Sequence, residues 1–231
     1  MKILGYFYRL QYCIMVIKSI LIISATSFEL EPLRTFYNKQ LQLESNVFGN
    51  IVIDFLISGI GMMQTAICIH QHISNQQYDM VFQIGIAGAY NTSLKLGSVI
   101  QIHSEQYGDL GAENHDEYLD AAALNWHQQQ TILFENNNLI KELESGSSIS
   151  VNMCAGNQKT ISFRKARYNV DIENMEGIAF FQVMKNTQVP YYQIRSISNY
   201  VIPRDKSLWN IPLAIENLNN FVIQYLQKLI K

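Results

Sequence analysis

The five residues Glu173-Asn174-Met175-Glu176-Gly177 place two carboxylates and a thioether where an irregular segment gives way to a helical pattern. The run that follows, Ile178-Ala179-Phe180-Phe181-Gln182-Val183-Met184, is almost wholly apolar, so its helix is expected to be buried. A carboxylate at that point gains from the positive end of the helix dipole, yet its oxygens still need donors. A vicinal diol supplies two adjacent hydroxyls and would meet it in bidentate fashion. The ordinary alternative is that Glu173 or Glu176 caps its own helix. Arg195 poses the converse problem, because a guanidinium inside the apolar run Tyr192–Ile197 is costly unless a carboxylate or ligand meets it. Asn199, just past that run, offers a donor and an acceptor, with a structural loop asparagine as the bland reading. Glu29 opens a further helical stretch, where a helix-start acid is again the commoner role.

Two glycine-bearing stretches follow strand-like runs: Ser58-Gly59-Ile60-Gly61 and Gly85-Ile86-Ala87-Gly88-Ala89-Tyr90. Neither gives GxGxxG, and no lysine stands where a phosphate-cradling loop needs one. Their glycines mark close approach of backbone to backbone or to a flat ligand. His103, His115 and His127 are too scattered for metal-ligand spacing, and Cys13, Cys68 and Cys154 form no CxxC pair. No metal and no cofactor are expected. The odd, widely spaced cysteines read as small buried hydrophobes in a reducing compartment, hence a cytoplasmic protein.

These residues must be positioned by a regular scaffold. Strand-like runs recur at Leu21–Ala25, Ile51–Ser58, Met80–Ile84, Ser98–Ile102, Ile149–Met153 and Tyr192–Ile197. Helical patterns lie at Met62–Ile73, Glu176–Lys185 and Ala214–Ile230, the last with Leu218, Phe221, Val222, Tyr225, Leu226 and Leu229 on one face. Alternation of this kind argues for a layered α/β fold with a mostly parallel sheet, whose ligands gather beyond the carboxyl ends of the strands. The segment Glu105–Ser148 is the least regular; Tyr107–Glu113 reads as an ordered loop with solvated acids, and Gly146-Ser147-Ser148 as a turn.

At 231 residues the chain fits one domain. With 16% charged residues and a net charge of -2 it has no electrostatic footprint for nucleic acid or an anionic membrane. Met1–Ile23 is apolar but interrupted by Arg9 and Lys18, so no run reaches the ~18 residues of a membrane span. Residues 1–17 read as an extension without an assigned role, and 18–231 as the domain.

Taken in order, strand-Ala-x-x-x-Glu, Ser-Gly-Ile-Gly, Gly-x-Ala-Gly, x-Met-Glu-Gly and Arg-x-Ile-Ser-Asn resemble the nucleoside phosphorylase and nucleosidase family from about Ile20 to Leu229. The resemblance implies an α/β three-layer sandwich, with a mixed, mostly parallel twisted central sheet flanked by helices. Within the family, Asp109–Glu113, Glu173–Gly177, Arg195–Asn199 and Arg204-Asp205 with Trp209 are most similar to the futalosine hydrolase branch, which releases hypoxanthine on the way to menaquinone. It implies that Glu176 binds the ribose hydroxyls, Met175 lines the sugar, and Glu29 activates water with help from Arg195. Asn199 would hold the leaving purine, with Gly85, Ala87 and Gly88 along the nucleoside and Met153 in the purine wall. Trp209 would cover the 5′ substituent, with Arg204 near its carboxylate.

Adenine-cleaving relatives carry Asp at the Asn199 position; an amide that accepts from an N–H and donates to a 6-oxo group favours hypoxanthine. Phosphorylases of this fold place Arg and Ser where this chain has Gln83 and Ile86, so water is the expected nucleophile. Ser27 and Phe28 depart from the acids found there in many nucleosidases. The expected partner is a small-molecule nucleoside, and the resemblance implies a homo-oligomer. The competing readings are a purine nucleoside phosphorylase, a methylthioadenosine-type nucleosidase, and a non-catalytic nucleoside binder.

Overall fold

The computed structural model describes residues 19–41, 47–48, 51–115, 117–126 and 133–229. The extension 1–17, Cys13 and His127 lie outside the described residues. Strand β1 (Ser19–Ser24) carries Ile20-Leu21-Ile22-Ile23 with no exposed surface, as an apolar run covered on both faces requires. Alternate residues enter two different cores. Leu21 and Ile23 pack with Ile69 of α2 (Met62–Asn75) and with Ile178, Phe180, Phe181 and Met184 of α4 (Gly177–Met184). Ile20 and Ile22 pack with Leu30, Leu33 and Tyr37 of α1 (Ser27–Leu41) and Leu218, Val222 and Leu226 of α5 (Ile211–Leu229). A central mixed sheet flanked by helices is therefore present, and the amphipathic closing helix lies where its pattern put it.

The sheet differs from a simple parallel one. Strands β3 (Ile51–Ile57), β1, β4 (Met80–Ala89) and β11 (Tyr191–Tyr200) run parallel, with β2 (Val47–Phe48) antiparallel at the edge. Beyond β11, strand β5 (Val99–Tyr107) is antiparallel to it and parallel to β9 (Ser145–Ser150). Strand β10 (Ile172–Asn174) then pairs parallel with β9 and antiparallel with β4. Strands β4, β11, β5, β9 and β10 thus close into a ring. Strand β10 follows a crossover from β9 and returns to Gly88-Ala89, so half of the sheet loses its open edge and is not a simple parallel layer.

Ring closure also lengthens strands past their apolar runs. Gly85–Ala89 and Asn199 were expected beyond strand ends, yet they lie within β4 and β11, paired through a bulge between Ile197 and Asn199. Gly146-Ser147-Ser148 is not a turn but the middle of β9, where Ser147 also bonds Asp171. Helix α3 (Gln158–Tyr168), capped by Asn157 accepting from Thr160 N–H, had no apolar periodicity to announce it. A small hairpin of β6 (Gly111–Asn114) and β7 (Glu117–Asp120) stands off the ring; Asp120 in it is ion-paired with Arg167 of α3. The remaining short strand, β8 (Leu133–Glu135), pairs with β5. Among the described residues no helix is long and apolar enough to cross a membrane.

Candidate active site

Glu29 sits in the first turn of α1, immediately after β1, and is buried. Its Oε2 accepts from Ser24 Oγ (3.0 Å), Thr26 Oγ1 (2.8 Å) and Thr26 N–H (3.1 Å). Its Oε1 accepts from Ile86 N–H at 3.0 Å, which ties α1 to β4. Next to Ile86, a methyl group on Gly85 would collide with the Arg195 guanidinium and lie 3.1 Å from Glu29 Oε1. Only glycine lets these two side chains meet over the strand.

Arg195 is buried on β11. Its Nη2 donates to Gln83 Oε1 (3.0 Å) and Asn174 Oδ1 (3.2 Å), and its Nη1 lies 3.7 Å from Glu176 Oε2. The Glu176 side chain does not cap α4. That work falls to Asn174, whose Oδ1 accepts from the N–H groups of Glu176 (2.8 Å) and Gly177 (2.6 Å). Glu176 instead reaches across to Gly61 N–H, at the start of α2, at 3.1 Å. The carboxylate therefore rests on the positive end of α2 rather than on that of its own helix. Burial pushes its pKa up, the Arg195 charge and the Gly61 N–H oppose that, and repulsion from Glu29 adds to it. Glu29, Arg195 and Glu176 are thus one electrostatic group.

Beneath them lies Glu105, fully buried on β5. It accepts from Ser150 Oγ (2.9 Å), Asn174 Nδ2 (2.6 Å) and Gln193 Nε2 (2.7 Å). Burial raises its pKa, against those bonds and the Arg195 charge. Polar neighbours (His103, Ser104 and Gln106) hide Glu105 in the sequence, and nothing beside Asn174 announces its role.

Asn199 is half-buried opposite Gly88, where a Cβ would lie 3.1 Å from Asn199 Nδ2 and 3.7 Å from Glu173 Cγ. Its Oδ1 lies 2.8 Å from the Ser198 hydroxyl and its Nδ2 donates to Tyr200 O at 3.1 Å. Gly85, beside Glu29 and Arg195, and Gly88, beside Asn199, are three residues apart on β4, about 10 Å along the strand. Met175 is half-buried between Asn174 and Glu176. Ala87 is buried, with its methyl in the same apolar core as α4. The Arg204 guanidinium lies 4.9 Å from the Trp209 ring, and the Arg204 backbone N–H donates to Gly156 O at 3.1 Å. Met153 is exposed and lines a cleft of about 920 Å³ with Asp109, Tyr118, Phe163 and Arg164. Glu173 does not join Glu176; it is taken up by Arg164, Tyr90 and Ala155. Among the described residues no three His, Cys, Asp or Glu gather as a metal cluster.

The sequence profile of the family described as Phosphorylase superfamily matches residues 19–229. The chain belongs to that superfamily. Among superfamily members, the futalosine hydrolase of Streptomyces coelicolor is 25% identical over 179 residues, 73% of this chain and 76% of its own length. The futalosine hydrolase of Thermus thermophilus is 25% identical over 172 residues, 71% and 76% of the two chains. The native structure of futalosine hydrolase from Helicobacter pylori matches with a TM-score of 0.76 at 16% identity, covering 92% of this chain and 98% of that one. A 5′-methylthioadenosine/S-adenosylhomocysteine nucleosidase from Neisseria meningitidis, in complex with methylthio-immucillin-A, gives 0.74 at 18%, covering 91% and 99%. At these identities the structural likeness speaks to the superfamily fold.

Proposed function

We propose that this chain hydrolyses the N-glycosidic bond of futalosine, releasing hypoxanthine and dehypoxanthine futalosine. The observation that carries the reading is the meeting of Glu29 and Arg195 over Gly85, with Glu176 3.7 Å from Arg195 and Asn199 further along β11 from Arg195. The likeness to curated futalosine hydrolases supports the choice of substrate.

In this reading the ribose hydroxyls donate to Glu176, whose 3.7 Å separation from Arg195 exceeds a direct hydrogen bond and leaves an oxygen to be completed. Met175 lines the sugar. Glu29 takes a proton as the water oxygen bonds to the anomeric carbon. The C–N bond breaks through an oxocarbenium-like state, the departing base nitrogen takes up a proton from solvent, and Glu29 gives back to solvent the one it took, so that one water is consumed. Asn199 receives the base through its amide, accepting from a ring N–H and donating to the 6-oxo group. Arg204 and Trp209 cover the 5′ end. Water rather than phosphate is the nucleophile because Gln83 already accepts from Arg195, and Ile86 offers only the N–H that Glu29 holds.

The working enzyme in this reading is a cytoplasmic homo-oligomer built from one domain, residues 18–231. Ile60, Met63 and Ile67 form an exposed apolar stripe beside Gly61, the Glu176 partner, and a second copy would cover it. Light scattering on the purified protein tests that point; a monomer at working concentration would contradict it. The reaction is tested by incubating the protein with futalosine, inosine and methylthioadenosine, with and without phosphate. Hypoxanthine from futalosine regardless of phosphate is expected, and adenine as the main product would overturn the reading.

A further inference from the structure

The loop between β9 and α3 is held by three side chains that the proposed chemistry does not use. Asp109 Oδ2 accepts from the N–H groups of Asn152 (2.5 Å) and Met153 (3.3 Å). Arg164 Nη2 donates to Met153 O at 3.1 Å. Glu173 Oε1 accepts from Ala155 N–H at 2.9 Å, while its Oε2 takes the Tyr90 hydroxyl (2.6 Å) and Arg164 Nη1 (3.1 Å). Both Arg164 and Glu173 are buried, so this is a desolvated ion pair whose further hydrogen bonds go to the loop backbone and to the Tyr90 hydroxyl.

The same assembly reaches Gly88, beside Asn199. The Glu173 stem and the Asn199 amide both flank Gly88. Gly156, in the same loop, accepts from the Arg204 backbone N–H. A shift of this loop would therefore disturb Glu173, which flanks Gly88 together with Asn199.

We infer that Asp109, Arg164 and Glu173 form a brace that holds residues 152–156 against the departing base, making them positioning residues for base recognition. The consequence for the base rests on the function proposed above; the brace itself does not. The sequence blocks Asp109–Glu113 and Glu173–Gly177 thereby acquire a shared physical task, since each contributes one acceptor to the same loop.

The test uses the full chain carrying Glu173→Gln or Asp109→Asn, the second a half-buried position that keeps the question open if the first fails to fold. Two readouts are taken: amide hydrogen exchange across residues 151–157, and inhibition of the enzyme by hypoxanthine and by adenine. The brace predicts exchange at least about tenfold faster in that loop alone, with hypoxanthine inhibition weakened about tenfold and KM raised more than kcat falls. Unchanged exchange in both variants, or faster exchange spread over the whole chain with unaltered inhibition, would overturn it. A wild-type chain inhibited by neither base would sink the proposed function, and the exchange data would still decide the brace.

Discussion

Arg195 shares its guanidinium between Asn174 Oδ1, at 3.2 Å, and Glu176 Oε2, at 3.7 Å, so one cation serves both a helix-capping amide and the carboxylate that follows it. Glu105 lies behind the same amide. Replacing Arg195 with Met would leave two buried acids without their counter-charge. We expect a loss of about 3–5 kcal/mol of stability, read by urea denaturation, together with near-complete loss of activity. Full stability in that variant would show the acids to be neutral in the resting protein.

Glu29→Gln separates chemistry from scaffold. A general base is worth about 10²–10⁴ in rate, and kcat should fall within that range. The amide cannot accept from Ile86 N–H and from the Ser24 and Thr26 donors at once. Stability should therefore drop by about 1–3 kcal/mol for an orphaned donor. Wild-type turnover in this variant, measured by release of base, would remove Glu29 from the reaction.

The pH dependence follows from the two raised carboxyls. Glu176 and Glu105 hold their protons more tightly in the folded chain, chiefly because they are buried. A raised folded pKa gives stability that is complete below the unfolded carboxyl value and is lost as pH climbs through the folded one. Stability should thus decline across the window just above the ordinary carboxyl range. Activity should move the other way, because Glu176 accepts both hydroxyls only when ionised. A rate profile whose acid limb falls at or below the unperturbed glutamate value would contradict this assignment.

Gly177 is required for space rather than for backbone freedom. A Cβ there would run into Glu105 Oε1 and Gln193 Nε2. Gly177→Ala should destabilise the protein by about 1–3 kcal/mol, as overpacking does, despite the better helix propensity of Ala. A thermal midpoint equal to or above wild type would mean that the Glu105 network yields at no cost.

The scaffold was readable in the sequence wherever apolar period carried it. Strand β1, helix α2 and helix α5 fall where their patterns put them, because each buries one continuous stripe or run. The ends of β4 and β11 were not, since Gly85–Gly88 and Ser198-Asn199 lack an apolar signature and are held extended by pairing with each other and with distant β10. Helix α3 was hidden for the opposite reason: its anchor is the charged Arg164, an inward-facing residue that polarity scales assign to solvent. Of the site, Arg195 betrayed itself as a charge in an apolar strand. Asn174 could not, because its meaning comes from Arg195 and Glu105, which the chain supplies from far away.

The most direct test of the central claim is to run the reaction on futalosine in H₂¹⁸O and weigh both products. One heavy oxygen in the released sugar moiety, none in the hypoxanthine, and no dependence on phosphate is the predicted result. A sugar phosphate, or intact futalosine after prolonged incubation with folded protein, would contradict it.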